Sequence, residues 1–220
     1  MRMEHSESAG VVRRRHTRRT RLLVDVAMAL VYILQMVPYQ TGGLYHELAG
    51  LAFVGLLVAH HVLNGRWLIA ELRRRDWLFL LLDALLLACV AGIMVTGLLM
   101  AQHVRLLRLE GAAHVVRPLH ACLTYAGLML IAFHTGLHLP RRAFDRMGSV
   151  TKVFLSAVVV ALGVYAFVDL DVLAKLSLGM SFPDGMTPLP ILVAKHVLLA
   201  GPFVLFGMAV AHMRKRGELT

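Results

Sequence analysis

Four histidines stand apart by their spacing. His46 and His60 are 14 residues apart, and so are His120 and His134. Fourteen residues make four turns at the 3.5-residue period of a supercoiled bundle and rise about 21 Å. Each pair therefore lies on one face of its helix at two depths. All four fall in apolar runs, where ionisable side chains are rare and tend to be functional. One such histidine is as often a hydrogen-bonded core residue as a working group. Two matched intervals on parallel helices are much harder to produce by chance. The chemistry that wants two facing imidazole pairs, stacked across an apolar bundle, is bis-histidine haem b. Each iron takes one imidazole from each side, and burial and axial ligation tune its potential. With both axial positions filled, electron transfer is favoured over oxygen activation.

The rest of the chain is built to hold such a stack in a bilayer. Of 220 residues, 58% are hydrophobic and 16% charged, and the mean hydropathy is +0.69. A soluble domain is about 45–50% apolar and about 25% charged. A disordered chain, a coiled coil and a nucleic-acid-binding domain are excluded. The expected architecture is all-α, a membrane bundle of six spans, each needing about 20 mostly apolar residues. They fall at about 22–38, 45–65, 78–102, 118–139, 150–168 and 189–213, after a basic tail over 1–21. The first four form the expected di-haem core. Spans 2 and 4 run in the same direction, so His46 can face His120 and His60 can face His134.

The basic residues set the orientation. The tail to Arg21, the 66–77 and 140–152 connections and the C-terminal tail carry 18 of the 23 Lys and Arg. The other side holds Arg105, Arg108, Arg117, Lys175 and Lys195. By the positive-inside rule both termini are cytoplasmic. The net charge of +10 is then mostly an orientation signal with some affinity for anionic lipid. No small-residue cleavage site follows the Arg-rich start, so the first span is expected to be retained.

The segments YHELAGLAFVGLLVAHHVLNGRW (45–67) and PLHACLTYAGLMLIAFHTGLHL (118–139) carry a resemblance. Two histidine pairs with thirteen residues between, on the second and fourth helices, resemble the di-haem cytochrome b superfamily. Locally the segments are similar to small bacterial cytochrome b-like membrane proteins, including the cytochrome b561 type. The likeness covers spans 1–4 well and spans 5 and 6 loosely. It implies His46, His60, His120 and His134 as axial ligands of two haem b groups, and a bacterial inner-membrane location. It implies electron transfer with membrane quinone, a redox partner protein or a small oxidant. It leaves open whether the chain is a quinone-linked oxidoreductase or the cytochrome b subunit of one.

Two histidines compete for the ligand roles. His61 adjoins His60 but points about 100° away. His138 shares a face with His120, yet lies about 27 Å along the helix, which mismatches the 21 Å of span 2. It is expected near Arg141 at the inner boundary, with a secondary role as proton relay or propionate partner. Arg117, three residues before His120, is the candidate fork for a haem propionate. Arg105 and Arg108 are expected to be interfacial anchors. Gly50, Gly55, Gly92, Gly97, Gly127 and Gly136 serve either porphyrin faces or helix packing. Glu47 is either a partner of His46 or a first-turn acid. Asp25 and Asp83 are expected to be boundary residues or partners of nearby Arg. His103, His114, Lys195 and His196 are expected to cluster with Arg117 and form a candidate quinone-head site. His5 and His16 are expected in solvent and His212 at the inner boundary. The segment 169–190 is either an amphipathic lid or a plain loop.

The chain has no GxGxxG, P-loop, CxxC pair or CxxCH, so no nucleotide domain, iron–sulfur set or covalent haem is indicated. Two other function classes use the same histidines. One is a transporter or a metal-ion or proton pathway, which would place ionisable groups at the midplane. The other is a haem-binding membrane anchor without turnover.

Overall fold

The computed structural model describes residues 2–217 except 75, 105, 108, 110, 112, 140, 141 and 180–184; the side chains of 2–16, 142, 143 and 215 are also outside the description. Arg75, Arg105, Arg108 and Arg141, and the side chains of His5 and His16, therefore lie outside the described residues. Among the described residues the chain is helical throughout, without a strand.

The first helix, α1 (Arg2–Gln35), runs without a break from the basic tail into the first apolar run. It ends where Pro38 forces the preceding residue out of helical geometry. One helical turn follows, α2 (Pro38–Thr41), closed by Gly42 at φ +90°, a left-handed conformation that suits glycine. This tight corner turns the chain back, so that α3 (Gly43–Arg74) packs antiparallel on α1.

Next come α4 (Trp77–Met100) and α5 (Ala113–His138), packed closely together. A short α6 (Arg142–Asp145) precedes α7 (Ser149–Asp169), α8 (Val172–Leu176) and α9 (Leu189–Lys215). The tightest crossing is α5 on α9, where Gly136 and Gly207 let the two backbones touch. A Cβ at Gly136 would collide with the Val204 carbonyl, so the packing role wins there.

Five helices among the described residues are long and apolar enough to cross a membrane: α3, α4, α5, α7 and α9. The sixth expected span, in α1, is not among them. Its uncharged part covers only 26–35, above Asp25, with Arg18, Arg19 and Arg21 below.

Three expected boundaries shift. The 66–77 connection is mostly helix, because α3 continues to Arg74. Arginine is a good helix former whose long stem lets its charge reach water. α5 starts at Ala113, not near 118. Pro118 removes only a bond to the carbonyl of His114, on the exposed first turns of α5. In the 169–190 segment α8 turns one side into the protein, while 177–179 and 185–188 are non-helical and mostly exposed. Val172 of α8 is fully buried and joins the main apolar core with Tyr32, Leu128, Ala166 and Leu199. Lys175 on α8 is pulled in with it, and burial holds its pKa below the ordinary lysine value.

These contacts leave a seam. α3 leans on α1 and touches α4 only lightly, while α5 packs on α4 and α9. No extensive backbone packing joins α3 to α5. The two helices that carry the spaced histidines face each other across this seam. "Upper" below denotes its end at His46 and His120, and "lower" the end at His60 and His134.

Candidate functional site

At the upper end the expected pair meets. The His46 and His120 ring centroids are 6.1 Å apart, with the rings inclined at 69°. Two imidazoles sharing one metal, at about 2 Å per metal–nitrogen bond, have centroids roughly 6 Å apart. His120 is held from behind: its Nδ1 lies 2.9 Å from Thr96 Oγ1. Thr96 in turn donates to the Gly92 carbonyl at 2.6 Å. Gly97 lies against the ring, where a Cβ would stand 3.3 Å from His120 Cε1. Across the seam, Gln35 donates through Nε2 to the His46 carbonyl at 2.8 Å. His46 Nδ1 and Gln35 Oε1 are both buried without a hydrogen-bond partner.

Both rings line a half-open pocket whose enclosed volume is about 80 Å³. Ligand pockets are mostly apolar with few placed polar groups. This one fits that description. Phe53, Val90, Ile93 and Met94 supply apolar wall, and Gly50 and Gly97 also line it, against Gln35 and His120. The donor set, the ring separation, the orphaned His46 nitrogen and the glycine wall fit an axially ligated haem.

The mouth of the cavity is tied down by Glu47. Its Oε1 accepts from the Gln102 amide at 2.8 Å. Its Oε2 accepts from the amides of His103 at 2.9 Å and Val104 at 2.7 Å. His103 Nδ1 adds a contact at 3.2 Å. Glu47 is thus the clasp that holds the segment after α4 over the pocket. Three successive amides on one carboxylate form an anion-binding nest.

The lower end is built differently. His60 Nδ1 is 2.7 Å from Asp25 Oδ1. His134 Nδ1 is 3.3 Å from Asp83 Oδ1, an ion-pair distance, but the alignment does not make a hydrogen bond. Asp25 and Asp83 are therefore histidine partners rather than arginine partners. His60 and His134 make no ring contact with each other among the described residues. His60 lies beside His61, with centroids 5.5 Å apart. His134 lies beside His138 at 4.6 Å.

His138 is not simply a boundary residue. It packs on Trp67 at 5.1 Å and Phe79 at 5.6 Å, and is within electrostatic reach of His60, Asp25 and Asp83. Among the described residues, no three His, Cys, Asp or Glu side chains converge to cage a bare metal ion.

The expected quinone-head cluster is not assembled. His103 goes to Glu47, and His114 and Arg117 are exposed on the first turns of α5. Lys195 pairs with Asp169 at 2.6 Å. His196 is fully buried on the far face of α5, with Nδ1 2.8 Å from the Leu192 carbonyl and Nε2 3.1 Å from the Tyr125 hydroxyl. His212 lies in the last turns of α9, near Arg214, which pairs with Asp76 at the lower end. Among the glycines, Gly50 and Gly97 line the pocket. Gly127 instead makes room for the Tyr32 hydroxyl and Gly92 for Leu123, while Gly55 faces open space.

Comparison of the chain with protein-family models, curated proteins and solved structures returns no match.

Proposed function

We propose that the chain is a di-haem b membrane cytochrome of the cytochrome b type, moving electrons across a bacterial inner membrane. The observation that carries this reading is the facing of His46 and His120 across an apolar pocket at 6.1 Å. When bound, haem supplies one-electron chemistry that no side chain here provides. The chain's own residues do the rest. His46 and His120 hold the upper group. His60 and His134 hold the lower one, with His138 the competitor. Thr96 orients His120, and Gly97 keeps the ring's flank clear. In this reading α1 completes the first of six spans, the basic tail and both termini are cytoplasmic, and the lower end faces the cytoplasm. Electrons are exchanged with membrane quinone or a redox partner protein. Arg117, exposed one turn above His120, is the propionate partner.

A second reading has one specific observation in its favour. The lower end sets three imidazoles between two carboxylates, from Asp25 and His60 through His138 to His134 and Asp83. Such chains also serve as proton pathways.

The test is a dithionite-reduced minus air-oxidised visible spectrum of detergent-purified protein, with haem counted per chain. Two b haems per chain are expected. A folded, haem-supplied preparation that binds none sinks the cytochrome reading and leaves the proton or ion pathway.

A further inference from the structure

Halfway between the two histidine levels the seam is bridged by one side chain from α1. Phe53 on α3 lies seven residues from both His46 and His60, and Gly127 on α5 lies seven from both His120 and His134. Seven residues are two turns of a supercoiled helix, a rise of about 10 Å. Tyr32 reaches both midpoints. Its ring meets Phe53 edge-on, with centroids 5.6 Å apart. Its hydroxyl donates to the Thr124 carbonyl at 2.8 Å and lies in the notch left by Gly127. A Cβ at Gly127 would collide with that hydroxyl, whereas the next atoms, Ile93 Cδ1 and Cys89 Sγ, stand 3.3 and 3.4 Å away. Tyr32 is buried and lines the upper pocket together with Phe53 and Thr124.

The packing of the helices gives this bridge its weight. No extensive backbone packing joins α1 or α3 to α5. At the pocket mouth, Glu47 ties α3 to the segment after α4. On the opposite side of the rings, Tyr32 ties α1 to α5. The tie leads straight to His120: Thr124, held by Tyr32, donates through Oγ1 to the His120 carbonyl at 2.6 Å. The lower half of α5 is fixed separately, where Gly136 meets the α9 backbone at Val204 and Gly207.

We infer that Tyr32 is a positioning residue for the upper histidine pair. Its hydroxyl, seated in the Gly127 notch, sets how α5 stands against α1 and α3 at Thr124, and so how His120 is presented to His46. Its ring closes the seam between the two levels and gives the upper pocket a floor. The inference rests on the reading of His46 and His120 as axial ligands.

The experiment is a double-substitution cycle of Tyr32→Phe and Gly127→Ala in the full chain carrying Cys122→Ser. Cys89 is the reporter, because its thiol is buried and shares the notch with the Tyr32 hydroxyl. One readout is N-ethylmaleimide labelling of Cys89 in the haem-free chain in detergent. The other is the low-spin paramagnetic resonance of the haem-loaded chain, whose g-values follow the angle between the two axial imidazole planes. Gly127→Ala should label severalfold faster. It should also shift the resonance that His120→Ala removes and leave in place the one that His134→Ala removes. Tyr32→Phe alone should act more weakly, through the lost tie to Thr124. In the double variant the colliding oxygen is gone, so both readouts should return to those of Tyr32→Phe alone, a coupling between the two sites. Gly55→Ala, where a Cβ meets open space, should change neither. Additive effects in the double variant overturn the inference, as does a double variant that fails to fold like Gly127→Ala. An equal shift of both resonances reports a general loosening of α5 and overturns the positioning role. Coupled labelling in a chain that binds no haem leaves Tyr32 a packing residue and overturns that role together with the cytochrome reading. Because the labelling is read without haem, the two failures are separable.

Discussion

The upper pocket and the lower cluster start from the same sequence device and end as different environments. Each is set by a histidine on α3 and another on α5, fourteen residues below its counterpart. At the upper end the two rings meet, the walls are apolar, and the polar contacts come from a threonine, a glutamine and backbone amides. At the lower end the rings stay apart, two aspartates approach them, and His61 and His138 crowd the same level. Spacing fixes register along a helix. It does not fix what the neighbouring helices bring to that level, and this second factor sets the chemistry.

The largest expected effect breaks the comparison outright. His46→Ala and His120→Ala should each cost one of the two haems, and the same one. The retained signal should match in the two variants by low-temperature absorption and by paramagnetic resonance. If His46→Ala and His134→Ala instead removed a common signal, the upper pairing would be wrong and the 6.1 Å approach only a packing contact. The lower end gives a sharper version. His134→Ala should lose the lower haem and His138→Ala should keep it. The reverse result would move the ligand to His138, whose ring already packs against His134 at 4.6 Å.

The legible and illegible parts divide along physical lines. The apolar runs of α3, α4, α5, α7 and α9 were readable because length and composition alone decide whether a helix can cross a bilayer. The upper pair was readable because both partners repeat at a helical period on parallel elements. The partners of His60 and His134 were not. Asp25 and Asp83 come from α1 and α4, and their level depends on how those helices slide against α3 and α5. No periodicity within one helix encodes that. Glu47 was visible as an acid beside His46, but its amide partners lie 55 to 57 residues away in a non-helical segment. The quinone-head cluster failed for a related reason. His196 was expected at the same end as His103, yet α9 carries it to the far face of α5.

A smaller effect tests whether the upper pocket is held shut as well as lined. Glu47→Gln keeps one acceptor oxygen and loses the charge, so at least part of the three-amide clasp is given up. Hydrogen bonds to a charged group are worth about 1.5–3 kcal/mol. Glu47 is only 14% exposed, so a loss on that scale is expected in thermal unfolding in detergent. Amide exchange at Gln102, His103 and Val104 should speed up, while exchange around His134 stays unchanged. Unchanged exchange at those three amides would mean that the segment is held by something other than the carboxylate.

The smallest expected effect is a control placed outside both regions. Tyr125 and His196 form a third buried polar contact, on the face of α5 turned to α9. With His196 Nδ1–H donating to the Leu192 carbonyl, Nε2 is the acceptor for the Tyr125 hydroxyl. Tyr125→Phe removes the donor and leaves a buried acceptor unsatisfied, a cost of about 1–3 kcal/mol. Because this contact lies across α5 from the seam, it should lower the melting temperature without changing haem content. If it cost the haem signal that His120→Ala also loses, the upper pocket would not be an isolated environment. The contrast between the two ends would then have to be sought in the packing of α5 as a whole rather than in the side chains beside each imidazole.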